Sequence, residues 1–93
     1  MLRITSANEA RSPVVLTVEG DLVGDWVPLL HAECLRRLDA RKPVELDFAG
    51  VGFIDRAGVA MVNGLYASGV RVVCASALVK ALLEHDSQHI NRR

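Results

Sequence analysis

The sequence predicts an α/β domain, a mixed and mostly parallel four-stranded sheet with three main helices. Three observations carry this. Apolar and polar residues alternate with period two at Val14 to Glu19 and again at Val44 to Phe48. Helical spacing follows, with Val27, Leu30, Cys34 (or Leu35) and Leu38 on one face, and a second helical segment opens at Asp55. Strands that alternate with helices pair in parallel through right-handed crossovers, which leaves the first two strands as the one antiparallel pair.

Taken in order, Leu2 to Thr5 forms a first strand (β1), and the polar stretch Ser6 to Ser12 turns it back. Pro13 opens a second strand (β2), Val14 to Glu19, with Val14, Leu16 and Val18 on one face and Val15, Thr17 and Glu19 on the other, a pattern expected near the sheet centre. Gly20, Asp21 and Gly24 form the connection. Asp25 stands where a helix N-cap belongs, and Pro28 sits in the first turn, where its missing amide costs least. That helix (α1) presents Glu33, Arg36, Arg37 and Asp39 to water and ends before Pro43.

Val44 to Phe48 is the third strand (β3), and Gly50 and Gly52 supply a turn. Asp55 then caps the second helix (α2), its carboxylate placed to accept from the amide of Ala57 or Gly58. This helix runs to about Ser68 and stops at Gly69, a usual residue after a helix end. Val70 to Ala75 is an apolar fourth strand (β4). Ser76 caps a third helix (α3) through Leu78, Val79, Leu82 and Leu83, and from 87 to 93 the polar tail is expected to fray. The element order is β1-β2-α1-β3-α2-β4-α3.

Ninety-three residues make one domain, able to bury about 60–65% of its unfolded surface. With 51% hydrophobic and 24% charged residues the chain is built to fold rather than to stay disordered. A formal charge of zero, with acids and bases interspersed, gives no basic face for nucleic acid. No apolar run approaches the roughly 20 residues a membrane span needs, so a cytoplasmic protein without membrane insertion is expected. Cys34 and Cys74 are far apart, with no CxxC, and both are expected as reduced core thiols. His31 falls on a polar helix face. His85 and His89 stand at helical spacing but lack a third ligand, so no metal site is expected.

Catalytic signatures are missing: there is no GxSxG, no P-loop, no zinc motif and no nucleophile spaced from a base. A non-catalytic protein without a cofactor is therefore expected. The informative stretch is VELDFAGVGFIDRAGVAMVNGLYASG, Val44 to Gly69, where strand, glycines and capped helix meet. A helix start with open amides carries about half a positive charge and accepts anions or acceptor groups. Arg56 opposes that dipole, which fits either an exposed contact residue or a solvated side chain of no consequence. Gly58 is small, which lets another backbone or side chain approach. Trp26 opens α1 beside the glycine-containing connection, where it packs at the rim of the core or anchors a partner.

The string LDFAGVGFIDRAGVAMV, followed by an apolar strand and a further helix, resembles the STAS domain family, the anti-sigma-factor antagonist fold, over about Pro13 to Asp86. Its most specific part is a strand, a glycine turn, then an aspartate opening a helix with a glycine three residues on. The resemblance implies a protein-binding regulatory module that docks through this helix start, here Asp55, Arg56, Ala57 and Gly58, to which Trp26 adds a candidate partner contact from its own position. It implies as partner an anti-sigma kinase or a transporter subunit, the latter as in an ABC-type lipid transport system; a homodimer is compatible. Regulatory members carry two hydroxyl residues between the aspartate and the glycine, the second being the phosphorylated one. Arg56 and Ala57 stand there in this chain, so no phosphorylation is expected at that position. The helix after the aspartate is about one turn shorter than is usual in the family, and no extra C-terminal helix follows. A small-anion or nucleotide sensor built on the same amides is the alternative from another class, and a small enzyme with Asp55 as base is a weaker one.

Overall fold

The computed structural model describes residues 1–6 and 10–90, with side chains through Glu84. Seven elements follow one another: β1 Leu2–Ser6, β2 Val14–Leu22, α1 Trp26–Asp39, β3 Val44–Ile54, α2 Arg56–Tyr66, β4 Arg71–Ala75 and α3 Ala77–Ile90. The sheet order is β1-β2-β3-β4, with β1 antiparallel to β2 and the other two pairings parallel, as strand and helix alternation predicts.

One side of the sheet carries the core. Val14, Leu16, Val18 and Leu22 of β2 and Val44, Leu46, Phe48, Val51 and Ile54 of β3 are buried, and they join Val27, Leu30 and Cys34 of α1, Val59, Val62 and Leu65 of α2 and Val79 and Leu83 of α3 in one cluster. All three helices therefore cover the same face. On the other face Arg3, Val15, Glu19 and Arg71 are exposed and Thr17, Glu45 and Asp47 are half-buried. Cross-strand register sets these side by side, and Arg3 pairs with Glu19 at 3.1 Å. In α1 the apolar position left open between Cys34 and Leu35 goes to Cys34, which is buried while Leu35 is exposed.

Several elements depart from the sequence pattern. Strands β2 and β3 run on through Leu22 and Ile54, so Gly20 and Asp21 belong to β2, and Gly50 and Gly52 lie inside β3 rather than in a tight turn. The extra length is absorbed by two irregularities. Thr17 and Glu19 of β2 pair with Asp47 and Gly50, and Gly20 and Asp21 pair with Val51 and Phe53, each step adding one residue to β3. Strand β4 is an edge strand in which Val73 and Cys74 face outward, so Cys74 is an exposed thiol and not a core one. Arg37, expected in water, is only 5% exposed; its Nη1 donates to the Glu33 carbonyl and carboxylate at 2.9 and 2.7 Å. Helix α2 ends two residues earlier than its pattern suggests, and α3 continues through Ile90. Thus 87–90 are helical where fraying is expected, and 91–93 lie outside the described residues.

Candidate functional site: the tip at the start of α2

The ends of β2 and β3 meet at the start of α2, and Asp55 ties them together. Its amide donates to the carbonyl of Leu22 at 3.2 Å, holding the end of β3 beside the end of β2. Its backbone is extended (φ −85°, ψ 177°), as an N-cap requires, and Oδ1 accepts from the Gly58 amide at 2.8 Å. Its other oxygen, Oδ2, accepts from the Gly24 amide at 2.9 Å. Gly24 can point its amide this way because its φ is +56°, a conformation that side chains disfavour. The carboxyl is held below its ordinary value, first by the Gly24 amide and then by the Gly58 amide.

Gly58 answers to its own chain rather than to a visitor. A Cβ there would lie 2.8 Å from Ile54 Cγ1 and 3.0 Å from the Leu22 carbonyl oxygen, and the residue is buried. Its smallness lets the first turn of α2 press on the strand ends. Arg56 and Ala57, one and two residues after the brace, are exposed. The five residues singled out from the sequence thus divide: Asp55 and Gly58 build the tip, Arg56 and Ala57 face outward, and Trp26 is half-buried and packed against the core.

The sequence misplaces one cap and misses one residue. Asp25 precedes α1 but makes no side-chain cap bond; its backbone is already helical (φ −68°, ψ −14°), so its exposed carboxylate is not aimed at the first-turn amides. Phe53, 45% exposed, stands two residues before Asp55 and directly opposite Asp21. Alternation with Val51 would have pointed it inward, so periodicity gave no signal for it.

Two clefts lie elsewhere. One of about 280 Å³ opens between β1 and α1, lined by Leu2, Ile4, Ser6, Leu29, Glu33 and Arg37. The other, about 1050 Å³, runs along β4 beside α2 and α3 and includes Val62, Tyr66, Val70, Val72 and Leu83. Neither includes a residue of the tip. Among the described residues no three histidine, cysteine or acidic side chains gather as metal ligands, and the side chains of His85 and His89 lie outside the described set. No described helix is long and apolar enough to cross a membrane.

The comparisons agree with this architecture. A search of curated proteins finds no match. Among solved structures, one described as the anti-sigma factor antagonist SpoIIAA in its unphosphorylated form matches with a TM-score of 0.71 at 20% identity, over 91% of this chain and 81% of that one. At that identity the likeness concerns the fold. The sequence model described as "Mlab, STAS domain" matches residues 5–85, from the end of β1 into α3 and across the whole tip. The chain belongs to the STAS domain family.

Proposed function

We propose that this chain is a non-catalytic, cytoplasmic regulatory module that docks on a protein partner through the exposed start of α2. The carrying observation is the double use of Asp55. Both carboxylate oxygens are spent on the chain's own amides, at 2.8 and 2.9 Å, so the tip is fixed before any partner arrives while Arg56 and Ala57 stay exposed. Binding to a preorganised surface avoids the ordering cost of a loose loop. The same geometry weighs against Asp55 as a catalytic base, since a carboxylate held low by two donors is a poor proton acceptor. It also weighs against an anion sensor, because the Gly58 amide is taken and a negative charge already sits at the helix start.

The partner implied by the family is an anti-sigma kinase, with this chain acting as an antagonist that cannot be phosphorylated at Ala57. A second reading keeps the surface and changes the partner to a subunit of an ABC-type lipid transporter. Ala57 favours it: with no hydroxyl at that position, a permanently docked subunit needs no modification there to release it.

The test is affinity capture on the immobilised chain, with retained proteins identified by mass spectrometry and titrated back. An Arg56→Glu, Ala57→Asp double variant is expected to lose the captured protein while keeping its circular dichroism spectrum. Undiminished binding by that variant removes the proposal.

A further inference from the structure

We infer that Phe53 is the apolar anchor of the docking surface, and that the partner offers an apolar socket rimmed by lysine or arginine. The inference rests on the docking reading above and adds to it a residue and a partner chemistry. The observation behind it is the second irregularity of β3. Gly20 pairs with Val51, yet the next residue of β2, Asp21, pairs with Phe53, so Gly52 is the added residue. Simple alternation from Val51 would send Phe53 into the core and Ile54 out. Instead Val51 and Ile54 are 2% and 1% exposed and Phe53 is 45% exposed. An added strand residue re-aims the side chains that follow it, and here it turns an aromatic ring toward solvent beside Asp55. Gly52 suits the bend, since a Cβ there would lie 3.1 Å from the Asp21 carboxylate.

The surroundings define what fits over the ring. Asp21, opposite Phe53, and Asp25, next to the braced Gly24, are both exposed. Arg56 is the cation at the tip, and Asp55 is engaged by its own chain. The tip beside this aromatic side chain is therefore net negative, and a partner with basic side chains about an apolar depression complements it. Such charges act within the roughly 10 Å screening length of 0.1 M salt, so association weakens as salt rises.

The experiment uses the protein captured, identified and purified as described above, titrated by calorimetry against the full chain and four variants, Arg56→Glu among them. Phe53→Ser is expected to weaken binding roughly 30-fold, the scale of a buried aromatic hot spot, and Phe53→Tyr to retain most of it. Asp21→Lys with Asp25→Lys is expected to weaken binding and to flatten its dependence on sodium chloride. Asp21 and Asp25 are exposed, so the thermal midpoint of that double variant should move little, and titrating Phe53→Ser well below its own midpoint keeps loss of binding distinct from loss of fold. Loss of binding in Arg56→Glu with full binding in Phe53→Ser overturns the anchor and leaves the docking tip standing; full binding in both overturns the two together. Co-sedimentation of the wild-type chain with zwitterionic lipid vesicles that Phe53→Ser abolishes would assign the ring to a membrane and overturn the inference as well.

Discussion

The amide of Gly24 donates to the carboxylate of Asp55 at 2.9 Å across 31 positions of sequence, a span that holds all of α1 and β3. This bond and the cap to Gly58 make one side chain the meeting point of three segments. Asp55→Ala removes both acceptors and leaves two amides to find water. A loss of about 2 kcal/mol in unfolding free energy is expected by urea denaturation, and Asp55→Asn, which keeps one acceptor oxygen, should lose about half of that.

The same carboxylate gives stability a sign with pH. Its folded value is depressed below the ordinary 3.8, so its contribution is fully present above that value and disappears as pH falls through the lower folded one. The difference in unfolding free energy between wild type and Asp55→Asn should stay constant from pH 7 to about 5 and narrow below about pH 4. Comparing the two proteins isolates Asp55 from Glu33, whose carboxyl is also lowered, first by Arg37 and then by Arg36.

Two glycines of α2 should respond in opposite directions to the same substitution. Gly58→Ala drives a methyl group against Ile54 and the Leu22 carbonyl, and a destabilisation of roughly 1–3 kcal/mol is expected although alanine favours helix. Gly64, also in α2, has open space where its Cβ would go, and Gly64→Ala should stabilise by about 0.5–1 kcal/mol. Thermal melts of the two variants check this pair directly.

The thiols should separate cleanly by reactivity. Cys74 is exposed on β4, whereas Cys34 is buried and desolvation pushes its thiol up to about 11. Titration of the native protein with a chromogenic disulfide at pH 8 should consume one thiol quickly, and the second should appear only with denaturant.

Arg56 sets recognition against stability. A cation at a helix start opposes the macrodipole, so Arg56→Glu should raise the unfolding free energy by about 0.5 kcal/mol at low salt and less at high salt. The same change should weaken capture of the partner. A melt and a titration on one sample decide both.

What the sequence made legible was local. The Asp55 cap could be read because donor and acceptor are three residues apart, and the Ser76 cap likewise, with Val79 donating to its hydroxyl at 3.2 Å. The bond to Gly24 could not, because nothing in the pattern brings residues 24 and 55 together. Gly50 and Gly52 pointed to a turn because glycine serves turns and bulged strands alike, and pairing with β2 alone distinguishes the two. Arg37 escaped because an arginine on a helix reads as solvated, and that its guanidinium folds back onto Glu33 one turn earlier and is buried shows only in the folded chain. Cys74 sits in a run apolar enough for a central strand, and only the sheet order shows that it occupies an edge.

The added residue in β3 also separates two kinds of selection. Val51 and Ile54 fill the core while the side chain at position 53 is 45% exposed, so its identity can drift at a smaller cost inside the domain than theirs. Paralogues that diverge at this position alone would keep the same fold while acquiring different allegiances, which makes the bulge an evolutionary dial for choosing whom the protein meets.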